Sequence, residues 1–135
     1  MSVFIKKYIV LFPLFVCLLF SLKNEAQEIK QDTLSIIINY QKEASTAIIN
    51  QDFEAAINSL NEAYNLADSS NNNTLKASVH LSYAELQYNL HNYNKASTET
   101  IKALTHLNKT NDEVLIGKIY YQNGLILTQI QKFNE

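Results

Sequence analysis

The chain has 135 residues, 47% of them apolar, with two glycines and a formal charge of −2. This composition supports one helical domain, or part of a larger one, and disfavours sheet. Eleven lysines and no arginine leave no bidentate grip on phosphate or carboxylate, and without a basic stripe nucleic acid is excluded as the expected partner.

Residues 1–26 read as a secretory signal peptide. Lys6 and Lys7 precede an apolar run from Tyr8 to Phe20, and polar residues and Ala26 follow. The run is shorter than the roughly 20 residues that span a bilayer, and Pro13 interrupts it. The rival reading is a retained membrane anchor over residues 8–22. Cys17, the single cysteine, lies here without the preceding small residue that lipidation needs. Cleavage would leave residues 27–135 as the exported, periplasmic domain, with no thiol for a disulfide or a metal. Eight lysines would then face twelve acids, a charge near −4.

Five helices are expected. The first covers 32–49 and opens at Asp32 or Thr33. The second covers 53–68, with Asp52 as its N-cap. The polar run "DSSNNN", Asp68 to Asn73, separates two units. The third helix covers 74–90 and the fourth 93–108, with Asn92 between them. The fifth begins near Asp112, where Thr110 and Glu113 have capping-box spacing, and runs to about Gln131. Connections of about two to six residues make the neighbours antiparallel.

The chain repeats itself every forty residues. Ala44, Ala84 and Gly124 form a column of small residues. Phe53, Tyr93 and Phe133 form an aromatic column, and Tyr40, His80 and Tyr120 a ring-bearing one. Ala56 and Ala63 return as Ala96 and Ala103. A small residue within a helix allows a neighbour to approach where a larger side chain would overpack by roughly 1–3 kcal/mol. Alanines seven apart make a smooth stripe for a partner helix. The units run over about 34–72, 73–112 and an incomplete 113–135.

These columns resemble the tetratricopeptide repeat. "NQDFEAAINSLNEAYNLAD" is similar to the family's turn and second helix, "KASVHLSYAELQYNLHNYNKASTETIKAL" to a nearly complete unit, and "GKIYYQNGLILTQIQKFNE" to the first helix of another. The family's usual period is 34 residues, so the excess of six is expected between a second helix and the next first helix. The resemblance implies an all-α fold: antiparallel hairpins stacked in a right-handed superhelix, with the first helices lining a groove that binds protein or peptide segments. Carried over, the groove is lined by Ile38, Gln41, Ser45 and Ile48, then Ser78, Leu81, Glu85, Tyr88 and Asn89. Lys118, Tyr121, Gln122, Leu125 and Thr128 complete it. The lysines and asparagines of the family's carboxylate clamp are not matched, because Leu81 and Glu85 stand there.

Catalytic signatures are missing: no glycine-rich phosphate loop, no G-x-S-x-G elbow and no cysteine nucleophile. No cofactor or small-molecule substrate is implied. His80, His91 and His106 lack metal-ligand spacing and are assigned structural or solvated roles. Glu85 and Glu99 read as solvated carboxylates. Packing is expected for Tyr83 and Tyr120, while Tyr88 and Tyr121 stand open between packing and binding.

Phe133 is expected to begin a turn toward the partner of the fifth helix. Ile119, Gly124, Leu125, Ile126, Leu127 and Ile130 would then be left uncovered, where repeat arrays carry a polar cap. The expectation is an N-terminal fragment of a longer protein; if the reading frame ends at Glu135, a homodimer across the last helix is expected instead. The functional expectation is a non-enzymatic, exported interaction module. The alternative is the sensory input of a membrane-bound histidine kinase or helix-turn-helix regulator.

Overall fold

The computed structural model describes residues 32–107 and 112–133. The expected signal peptide or anchor and Thr110 lie outside these residues. The described chain is all-α: α1 over 32–49, α2 over Phe53–Ser69, α3 over Asn73–Asn89, α4 over Tyr93–Leu107 and α5 over Glu113–Phe133. From Leu34 onward the helices form one compact unit. No described helix is long and apolar enough to cross a membrane.

The forty-residue repeat is legible in the burial of α2 and α4. Ala56, Leu60, Ala63 and Ala67 are the buried residues of α2; Ala96, Thr100, Ala103 and Leu107 are those of α4. Each lies forty positions after its counterpart. The spacing of four, three and four places all of them on one helical stripe. One cluster joins Ala44 and Ile48 of α1 to Ala56 and Leu60 of α2 and Leu86 of α3. A second joins Ile37, Ala63, Ala67 and Val79. A third joins Ala77, Ala103 and Leu107 to Leu115 and Ile119 of α5. The core is therefore a chain of helix-on-helix contacts in sequence order, with α3 shared by both sides.

The turns repeat as well. Gln51 and His91, forty apart, both take φ near 60°. The left-handed region costs a residue with a Cβ about 1–2 kcal/mol, and the hydrogen bonds at both corners offset this. Gln51 N–H donates to Ile48 O and Asp52 N–H to Ala47 O; His91 N–H donates to Tyr88 O and Asn92 N–H to Gln87 O. These paired bonds satisfy the last carbonyls of α1 and α3. Asp52 then caps α2 by accepting from Ala55 N–H at 3.1 Å, as expected. Asn72 caps α3 through Thr74 and Leu75.

Four expectations need correction. The six extra residues do not lengthen a loop: α2 and α3 are each 17 residues long and only residues 70–72 separate them. The surplus extends the helices because Asn72 caps so close to the end of α2. At the start of α5, Asp112 Oδ1 accepts from Leu115 N–H at 2.9 Å, so Asp112 itself is the cap. Phe133 does not begin a turn; it is still helical, and so is Gln131, the counterpart of the left-handed Gln51 and His91. Gly124 accommodates no neighbour: it is exposed, and a Cβ built on it meets nothing within 4 Å.

Candidate functional site

Helices α1, α3 and α5 carry the residues expected to line a groove. Two hydrogen bonds tie them in sequence: Gln41 Nε2 to Ser82 Oγ at 2.9 Å, and Gln129 Nε2 to Tyr88 Oη at 3.4 Å. Each joins one first helix to the next, at different positions of the unit: the counterpart of Gln41–Ser82 one repeat on would be Leu81–Gln122. On this face Ile38, Glu85, Asn89, Lys118, Tyr121 and Thr128 are exposed. Gln41, Ser45, Ser78, Leu81, Tyr88, Gln122 and Leu125 are half-buried.

Ile48 is the exception. It is 7% exposed and belongs to the core with Ala56 and Leu60. One turn beyond Ala44, it shares the stripe that faces α2 and not the open face. Leu81 leans on the Ala77–Ala103 cluster. Tyr88 packs edge-on to Tyr93, with ring centroids 5.6 Å apart. Asn89 Nδ2 donates to Glu85 O, which holds the end of α3. Glu85 stands at the surface, yet the protein around it displaces enough water to hold its carboxyl above the ordinary value.

The face is open, with Ile38, Lys118 and Tyr121 at the surface. An open depression of about 380 Å3 lies elsewhere, at the α1–α2 corner, against Lys42, Glu43, Thr46, Ala47, Asn50 and Asp52.

A polar cluster that sequence reasoning missed links α2, α3 and α4. The Glu99 carboxylate, read as solvated, is mostly covered. It accepts from His80 Nδ1 at 2.7 Å and from Lys102 Nζ at 2.7 Å. The His80 ring stacks on His106 with centroids 5.4 Å apart, and Tyr64 meets it edge-on at 5.5 Å. Tyr83 donates to Asn61 Oδ1 at 2.6 Å. Burial first, then Glu99 and Tyr64, push its hydroxyl up to about 12. The signal lay in the hairpin arithmetic: folding about His91 sets residue 80 opposite residue 102, one helical turn from Glu99.

A histidine–carboxylate pair can serve as a general base only where substrate reaches the ring. Here His80 is 7% exposed and flanked by two rings, so the pair braces α3 against α4. His91 instead lies in the α3–α4 corner, with Nδ1 2.8 Å from Tyr93 Oη. No group of three metal-ligating side chains occurs among the described residues.

Tyr83 packs as expected, against both α1–α2 clusters. Tyr120 does not: it is 60% exposed, because no described helix lies over that side of α5. Comparison with known proteins finds no matching family model, no matching curated relative and no matching solved structure.

Proposed function

We propose that this chain is an exported, non-enzymatic interaction module of the tetratricopeptide type, which binds an extended peptide segment of a partner protein along α1, α3 and α5. The observation that carries this reading is that side-chain hydrogen bonds, Gln41–Ser82 and Tyr88–Gln129, join each first helix to the next, so that α1, α3 and α5 stand side by side. Along that row stand Gln41, Leu81 and Tyr121 at one position of the unit and Ser45, Glu85 and Leu125 at another, a surface of mixed polar and apolar side chains. Gln41, Ser45, Gln122 and Asn89 suit the backbone of an extended segment. Ile38 and Tyr121 suit its apolar side chains, and Glu85 a lysine or arginine.

The test is to pan a displayed random-peptide library against the chain and map the selected peptides by hydrogen exchange. Protection is expected along α3 and α5, and Glu85→Lys is expected to weaken binding at least about tenfold. Glu62→Lys, on the outer side of α2, should leave it unchanged. Peptides that protect α2 and α4 instead, or a library that yields no binder, would overturn the reading.

A further inference from the structure

We infer that the outer face of α5 is a self-complementary surface on which a second copy of this chain docks its own α5, antiparallel. Both glycines of the chain, Gly117 and Gly124, lie in this helix, seven positions apart on one stripe. Glycine is a poor helix former, and a Cβ on either would meet nothing within 4 Å, so no contact among the described residues explains them.

Along that stripe the order is Gly117, Tyr120, Gly124, Leu127, all exposed, with Tyr120 60% and Leu127 47% open to solvent. Read backwards, as an antiparallel partner presents it, the order is Leu127, Gly124, Tyr120, Gly117. Each large side chain then meets a glycine: Tyr120 the partner's Gly124, and Leu127 the partner's Gly117. The same register sets Glu113, in the first turn, beside the last-turn residues of the other copy, where Lys132 stands one place beyond Gln131. The two ends therefore carry opposite charges that meet twice, once at each end of the pair. Such reciprocity is what a two-fold contact requires. Helix α5 is 21 residues long, about 31 Å, which is enough for both pairs to engage at once.

The repeat points to the same face. On α3 the corresponding residues Ala77, His80 and Ala84 are buried, Ala77 beside Ala103 and Leu107 of α4 and His80 paired with Glu99 and stacked on His106. A second α5 would take on α5 the place that α4 takes on α3.

Sedimentation velocity of the full chain over a concentration series tests the inference. Wild type should associate to a dimer as concentration rises. Gly124→Leu should weaken the dimer at least about tenfold, since the leucine fills the notch for Tyr120. Glu113→Lys alone and Lys132→Glu alone should each weaken it about fivefold, while an equimolar mixture of the two should recover wild-type association as a heterodimer. That recovery also shows that both variants fold. A chain that stays monomeric at every concentration would overturn the inference and leave the face to a different helix. A dimer indifferent to all three substitutions would overturn it too, by placing the contact elsewhere.

Discussion

Helices α3 and α5 are the same element one repeat apart, and they differ most in what covers them. On α3 two faces are covered: Ala77, His80 and Ala84 on the α4 side, Val79 and Leu86 on the side of the preceding hairpin. On α5, among the described residues, only the second face is covered, by burial of Ile119 and Ile126, the counterparts of Val79 and Leu86. Helix α1 shows the reverse: Ile37 and Ala44 are buried, while Asn39 and Thr46, at the register of Val79 and Leu86, are exposed. The open side of α1 mixes these polar residues with the exposed Ile36, Ile38 and Ile49. The open face of α5 carries Tyr120, Tyr121 and Leu127. A repeat column thus specifies register, and the neighbouring helix decides whether a position in that register is core.

The comparison can be broken most forcefully with two leucines. Leu86 is fully buried and Leu127 nearly half exposed. Leu86→Ala should destabilise the chain by about 2–5 kcal/mol. Leu127→Ala should stay within about 0.5 kcal/mol. Urea unfolding at a concentration low enough to keep the chain monomeric reads both. Comparable losses would mean that α5 is covered on both faces after all.

The small column gives the next contrast. Ala84→Leu must overpack the α3–α4 contact and should cost roughly 1–3 kcal/mol. Gly124→Ala, with nothing within 4 Å of the new methyl, should stabilise the monomer by up to about 1 kcal/mol through helix propensity. A destabilised Gly124→Ala monomer would show a close neighbour at that position.

The ring column sharpens the comparison at similar scale. Glu99→Gln removes the carboxylate shared by His80 and Lys102 and should cost about 1–3 kcal/mol. Tyr120→Ala, one repeat on from His80, should cost less than about 0.5 kcal/mol in the monomer. A double-mutant cycle between His80 and Glu99 separates the pair from the packing of each ring.

Much of this was readable beforehand, and the reasons are local. Alternating apolar stripes and short-range caps such as Asp52 depend on residues within one or two turns, so the five helices and the α2–α4 correspondence followed from pattern alone. The groove face was readable only in register: Gln41, Ser45 and Tyr88 fall where the repeat puts them, but Ile48 is drawn into the core by a partner that spacing does not reveal. The Glu99–His80–His106 cluster was legible only to within a helical turn, by folding the hairpin about His91, because it depends on which side chains two antiparallel helices set level with each other. A lone carboxylate or histidine carries no mark of that. The left-handed Gln51 and His91 were missed for a related reason. Glutamine does not favour that conformation and histidine adopts it only in a minority of cases, so their equivalence at forty positions and the carbonyls they satisfy carry the explanation.

The smallest expected effects concern two carboxylates whose shifts have opposite signs. Asp68, exposed at the end of α2, is held below the ordinary carboxylate range by its hydrogen bond to Lys76 of α3, 2.7 Å away, and then by that lysine's charge. Its counterpart position is Asn108, and Lys76 corresponds to Ile116, so these two positions do not repeat the ion pair. Because the folded value of Asp68 lies below the unfolded one, its contribution is fully present above the unfolded value and is lost as pH falls through the folded value. Glu85 is the opposite case. Burial raises its folded value, so the native state binds the proton more tightly, and a small penalty appears as pH rises from the unfolded to the folded value. Asp68→Asn should therefore weaken the fold slightly at neutral pH, and Glu85→Gln should strengthen it slightly. Both differences should vanish in acid, where the native carboxyls are already protonated. Urea midpoints from pH 7 down to the acid limit of folding read the pair. Two shifts of the same sign at pH 7 would show that Glu85 has a cationic partner in the native chain and is not simply short of water.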